Sequence, residues 1–309
     1  DMKVPMISQL IGAVTNIILD PLLIFGIGFF PELGVLGAAI ATVTGQICAM
    51  IFVIIMFLVK KHDVSLSFKK FKLKKENIFA ICIVGLPTTV MNAVSGFTTI
   101  ILNLFLNKIS QNGMAILGVY FKLQSFVFMP VFGLMQGLMP ILSYNYGYGD
   151  KKRFTRAFWL AQITSVIIMT LGLLLFQIAP RLLMKMFSEG QMLEEGIFAL
   201  RIISISFLPA AFGICMTNVM QSFGKGFTSL IMSLLRQVVL LIPLGALLAF
   251  TVGLNGFWFT YPIAEFAVFA LFLPYTIITV NKKFHGVVPL EETGVGEELF
   301  DKITTETKE

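Results

Sequence analysis

Long apolar runs separated by short polar segments set the plan of this chain. Eight runs can be marked, at about 4–28, 34–59, 77–106, 114–142, 155–178, 197–222, 227–250 and 256–280. None alternates with a period of two, and each is longer than the roughly ten residues of a membrane barrel strand. A helix that crosses the hydrocarbon needs about 20 mostly apolar residues. Inside a bilayer every backbone N–H and C=O must be satisfied within the protein, which leaves helices as the spanning element. The pattern therefore predicts an all-α, polytopic membrane protein with eight spans. Composition agrees: 57% of residues are hydrophobic and 13% charged, with a mean hydropathy of +0.88. A soluble domain carries about 25% charged residues.

The net charge of +6 would suggest nucleic acid in a soluble protein, but here the bases sort by loop. If the first run starts on the inside, inside segments hold fourteen Lys and Arg, seven of them between Lys60 and Lys75. Opposite loops hold three, Lys108, Arg181 and Lys185. Lys and Arg accumulate on cytoplasmic loops, so both ends are expected in the cytoplasm of a bacterial inner membrane. The lipid bilayer thus accounts for the basic excess without nucleic acid. The segment 282–309 is rich in Glu and reads as a solvated acidic tail. Cys48, Cys82 and Cys215 lie far apart without metal-ligand spacing, and neither His62 nor His285 falls in an apolar run. Zinc, disulfides, hydrolase pairs and the GKS/T loop of an ATP site find no support; neither a cofactor nor an enzyme activity is expected.

An internal repeat organises the helices. Ile11–Pro21 (IGAVTNIILDP) matches Ser233–Pro243 (SLLRQVVLLIP), and Gly34–Gln46 (GVLGAAIATVTGQ) matches Gly253–Glu265 (GLNGFWFTYPIAE). An even number of spans separates the copies, so they are parallel, a common transporter device. The expected organisation has four parts. Residues 1–60 are the last two helices of one lobe, 61–76 a basic inter-lobe loop, 77–281 a six-helix lobe, and 282–309 the tail. Four further helices of the first lobe are expected upstream of Asp1.

These residues also carry a family likeness. Tyr120–Arg153 (YFKLQSFVFMPVFGLMQGLMPILSYNYGYGDKKR) resembles the eighth helix and following loop of multidrug and toxic compound extrusion (MATE) transporters, in their MepA-like bacterial branch. NIILDP from Asn16 and GVLGAAIAT from Gly34 resemble their fifth and sixth helices. GLP at 85–87 resembles the opening of the seventh, LLRQVVLLIP from Leu234 the eleventh, and YPIAE from Tyr261 the twelfth. The resemblance implies a two-lobe fold, and a monomer that exports amphipathic organic cations in exchange for H+ or Na+ by alternating access, without ATP. Two family carboxylates are missing: Ser95 stands where some members carry an acid, and Pro209–Gln221 contains none. The same fold would also serve a lipid-linked saccharide flippase, and a non-transporting membrane fragment is a third reading.

Candidate chemistry is sparse. Glu265 lies mid-span, where an acid costs about 2.5–3.5 kcal/mol on insertion scales and must find a partner or cavity; it could bind the coupling ion or lock helices. Asp20, beside the helix-bending Pro21, could do either. Arg236 could pair with Glu265 or Asp20 as a gate, or snorkel to the surface. Neutral cavity candidates are Asn92, Ser95, Gln136, Asn218 and Gln221, with Met216 and Met220 as a soft wall; all could equally be helix contacts. Lys122 is expected to snorkel outward. Gly133 and Gly137 form a GxxxG step read as close helix packing, and Gly147 and Gly149 are read as turn residues.

Overall fold

A computed structural model of the chain describes residues 3–28, 30–59, 75–187 and 189–285. The chain divides into two compact units, one ending at Leu73 and the other starting at Lys74. Nearly all of the basic 61–76 loop and the tail beyond His285 lie outside the described residues.

The first unit is a helix pair, α1 (Lys3–Ile24) and α2 (Val35–Val59). Small residues bring their backbones together: a Cβ on Gly45 would stand 2.7 Å from the Gly12 carbonyl oxygen. Ser8 donates across the pair to the Ala49 carbonyl at 3.1 Å. Asn16 bridges Asp20 on its own helix (3.2 Å) and Thr42 on the other (3.4 Å). Gly34, ahead of α2, takes φ +53°, and its repeat counterpart Gly253 takes φ +81°. Both copies therefore enter their second helix through a conformation that glycine adopts at little cost.

The second unit holds α3 (Lys75–Ile109), α4 (Gln111–Tyr148), α5 (Lys151–Ile178), α6 (Pro180–Lys185), α7 (Gln191–Ser204), α8 (Phe207–Ser222) and α9 (Gly226–Leu234). A π-helical segment (Leu235–Leu241), α10 (Ile242–Thr251), α11 (Leu254–Phe257) and α12 (Thr260–Lys283) complete it. Seven helices among the described residues are long and apolar enough to cross a membrane, or eight if the bent pair α7 and α8 counts as one span. All eight apolar runs are thus helical, as expected, and GLP stands at the start of the apolar stretch Gly85–Ile109 of α3.

Two departures from straight helix have chemical causes. The 197–222 run bends by 47° between Ser204 and Phe207. Pro209 has no N–H for the carbonyl four residues back, at Ile205. Serines reinforce the break: Ser204 and Ser206 return their hydroxyls to the Arg201 and Ile203 carbonyls. Gln177 on α5 donates to the Arg201 carbonyl (2.8 Å) and Ser204 (3.1 Å). The other departure is the π segment, which ends just before Pro243. That proline likewise leaves the Val239 carbonyl without its α-helical donor.

The faces of α5 divide cleanly. Leu160, Ile163, Ile167, Leu171 and Ile178 are exposed, whereas Gln162, Ser165, Met169 and Phe176 on the opposite side are buried. Polar side chains of the span kept to the buried face, with apolar ones on both, is the arrangement a lipid solvent selects. Phe207 of α8 wedges between Phe128 of α4 and Phe176 of α5, with ring centroids 5.3 and 5.2 Å away. At the other end Phe223 meets Tyr146 (4.8 Å) and stacks on Phe154 (5.2 Å).

The α4–α5 joint is short. Gly149 takes φ +83° and caps α4, and Asp150 caps α5 by accepting from the Arg153 amide at 2.8 Å. Gly147, expected in the turn, is still helical because α4 runs on to Tyr148. Gly133 and Gly137 also depart from expectation. Nothing among the described residues lies within 4 Å of a Cβ built on either, whereas Gly37 and Gly45 of α2 and Gly172 of α5 do meet a neighbouring helix closely.

Replacing Gly45 with leucine should force α1 and α2 apart and cost about 1–3 kcal/mol, the usual range for overpacking. A lowered thermal unfolding midpoint of the purified protein in detergent checks this, with the exposed Val43→Leu exchange as the neutral control.

Candidate functional site

A cavity of about 580 Å³ opens within the second unit, walled by α3, α4, α8, the α9–π stretch and α12. Its lining is largely uncharged. Asn92 and Ser95 come from α3, Gln124 from α4, Asn218 and Gln221 from α8, and Gln237 from the π segment. The hydroxyls of Thr98, Ser125 and Thr217 are turned back to carbonyls four residues earlier on their own helices. Hydroxyls satisfied this way can line an apolar space at little cost. Asn218 does the same through its amide, to Ile214 at 3.1 Å.

Among the described residues, Arg236 and Glu265 are the only ones of Asp, Glu, Lys, Arg or His type in this lining, and they are paired. The Arg236 Nε–H donates to Glu265 Oε1 at 2.7 Å, and Nη2 lies 2.5 Å from the same oxygen. Glu265 Oε2 is buried and has no hydrogen-bond partner among the described residues. The Glu265 side chain is 9% exposed and that of Arg236 26%. Gly213 on α8 lies beside the pair. A Cβ there would stand 3.9 Å from both Glu265 Oε2 and Arg236 Nη1. Tyr261, one turn before Glu265 on α12, packs its ring 5.7 Å from that of Tyr120 on α4, and both line the cavity.

Six of the ten residues singled out from sequence meet here: Asn92, Ser95, Asn218, Gln221, Arg236 and Glu265. The other four do not. Met216 and Met220 are buried in the core at 1% and 0% exposure, because they lie on the side of α8 turned away from Asn218 and Gln221. Gln136 is exposed on α4, one turn beyond the last cavity residue of that helix, Phe132. Asp20 belongs to the first unit, where its carboxylate accepts from Asn16. Lys122 lies outside the lining, with its ammonium 5.9 Å from the Phe187 ring centroid.

Tyr120, Tyr261 and Gly213 were not singled out. The four-residue spacing of Tyr261 and Glu265 was a readable signal, since i and i+4 share a helix face. Gly213 left none, because nothing in the local sequence says which neighbour it faces.

The MatE family model matches residues 87–247, slightly more than half of the chain and most of the cavity wall. The chain belongs to the MatE family. Among curated relatives, the multidrug export protein MepA of Staphylococcus aureus (strain bovine RF122 / ET3-1) is 31% identical over 269 residues. That match covers 85% of this chain and 57% of the relative, so the chain spans little more than half the length of this MatE protein. Two solved structures share the fold at a TM-score of 0.82. One is an outward-facing multidrug resistance MATE family transporter of the MOP superfamily, 21% identical. The other is a MOP superfamily transporter from Pyrococcus furiosus, 20% identical, described as having a binding pocket of reverse polarity that suggests a different function. Each covers 90% of this chain, which itself covers 62% of either structure. The all-helical membrane fold expected from the apolar runs, and the MATE family implied by the motif resemblance, are therefore both correct for this chain.

Truncating one member of the buried pair strands the other. Arg236→Ala should cost about 3–5 kcal/mol of stability, whereas Arg236→Gln together with Glu265→Gln should cost far less. Thermal unfolding of both variants in the same detergent reads the difference; equal losses would mean that the pair is not desolvated.

Proposed function

We propose that this chain is the cavity-bearing part of a secondary active exporter of amphipathic organic cations, working by alternating access. The observation that carries the reading is the cavity itself. Its walls are neutral amides, aromatic rings and thioethers around one carboxylate. Met91, Met129, Phe121 and Phe132 offer polarisable, adaptable surface to differently shaped cations. Glu265 supplies the single negative charge, and coupling to H+ or Na+ is assigned to the same carboxylate. The likeness to a staphylococcal multidrug export protein supports the substrate class.

Orientation is part of the proposal. Lys151 donates to Asn281 at 3.1 Å, and Lys283 to the Tyr146 hydroxyl at 3.1 Å. The Phe284 ring stands 6.3 Å from that of Phe223. These contacts gather the basic end of α12, the start of α5 and the turn carrying Lys225 at one end of the second unit. By the distribution of Lys and Arg, that end is cytoplasmic.

The same fold would also serve a second reading, a flippase for lipid-linked saccharides. A pyrophosphate carries several negative charges and calls for several unpaired bases. The one base in this lining, Arg236, is already held by Glu265, which favours cations.

Cells of a pump-deficient host expressing the full-length protein should accumulate less ethidium than vector controls, and Glu265→Gln should return accumulation to the control level. Fluorescence of washed cells measures both. Wild-type accumulation equal to that of the vector would refute cation export.

A further inference from the structure

The grip of Arg236 on Glu265 is one-sided. A guanidinium locks a carboxylate best through two parallel bonds, one to each oxygen. Here Nε and Nη2 both address Oε1, and the buried Oε2 has no partner among the described residues. Arg236 also stands on the least regular stretch of its span, the π segment Leu235–Leu241. Single π turns inside α-helices recur at functional sites, because the extra residue can be taken up or released by a change of register. Gly213 of α8 lies alongside the pair, within van der Waals reach of both Arg236 Nη1 and Glu265 Oε2.

We infer that Arg236 is a tethered competitor of the substrate: its guanidinium occupies the cavity's carboxylate in the resting protein, and an entering organic cation takes its place. This rests on the cation-export reading and deepens it by naming what sets the selectivity. With the pair intact the charged lining sums to zero, so a cation gains little Coulomb energy until it reaches Glu265. A substrate must therefore offer the carboxylate at least as good a partner as a guanidinium, together with the apolar contacts that Arg236 lacks. Small hydrophilic cations fail on the second count and neutral amphiphiles on the first. Amphipathic cations pass both. The displaced guanidinium is received by amides of the same cavity lining, Gln237, Asn218 and Gln221, whose carbonyl oxygens can accept its N–H groups. Specificity thus comes from a built-in rival as much as from attraction, in keeping with discrimination as a difference of affinities.

Arg236→Ala removes the tether, and free guanidinium can then play the lost part. Tetraphenylphosphonium, a lipophilic cation with no ionisable group, serves as the probe in equilibrium binding to the full-length protein. Arg236→Ala should bind it about tenfold or more tightly than wild type. Millimolar guanidinium chloride should weaken binding to that variant towards the wild-type affinity, while equimolar sodium chloride should not and the wild type should barely respond. Arg236→Lys, which keeps a tethered cation, should stay near wild type.

Unchanged affinity in Arg236→Ala, or indifference of that variant to guanidinium, overturns the inference while leaving cation export standing. A wild type that does not bind the probe takes both down. Should Arg236→Ala not be recovered folded, Arg236→Gln with Glu265→Gln decides instead. With no carboxylate to compete for, it should lose most of its probe binding, and wild-type affinity in that pair would overturn the inference.

Discussion

The ion pair between Arg236 and Glu265 governs the second unit. Neither charge could be left alone among apolar helices, since an uncompensated ion there costs several kcal/mol. Each therefore fixes the position of the other's helix, and the π segment is held against α12. Five helical stretches surround the pair and keep it 9–26% exposed by side chain, wet enough to be reached and dry enough to be strong. With both charges accounted for, the rest of the cavity wall can be built of amides, hydroxyls and aromatic rings. That is what gives the cavity its chemistry.

Around that centre the lobe is shaped by the demand that backbone groups find partners without water. Where the sequence places proline inside an apolar run, the helix resolves the missing donor locally. At Pro209 it breaks and serine hydroxyls tie the loose turn. At Pro243 it winds into a π segment. Pro130 and Pro140 of α4 and Pro274 of α12 are accommodated without interrupting their helices. The same residue thus has different outcomes, decided by what neighbouring helices supply. Gln177, reaching from α5 to the broken turn of α7, is one such supplier.

Much of this was legible in the residues. Eight apolar runs gave eight spans because length and lack of charge suffice to specify a membrane helix. Glu265 and Arg236 stood out because ionisable groups are expensive in hydrocarbon, so their presence mid-span already required an explanation. Asn92, Ser95, Asn218 and Gln221 were picked as polar groups inside apolar runs, and all four line the cavity. The misses share a cause. Met216, Met220 and Gln136 were judged by residue type, but their positions depend on which way α8 and α4 are turned, and helices apolar on every side carry little rotational signal. The GxxxG step of α4 misled for the same reason, since a motif says that two helices can approach, and only packing says which do.

The joints between helices are unequal, and this has a mechanical consequence. Only Gly149 and Asp150 separate α4 from α5, and both caps are satisfied. The two long helices must travel as one stiff strut. Irregular winding is found instead in the bent α7–α8 passage, which packs directly on that pair, and in the π segment that carries Arg236. A change of register in the π segment would move the guanidinium, so that there a change of shape and a change of electrostatics are a single event.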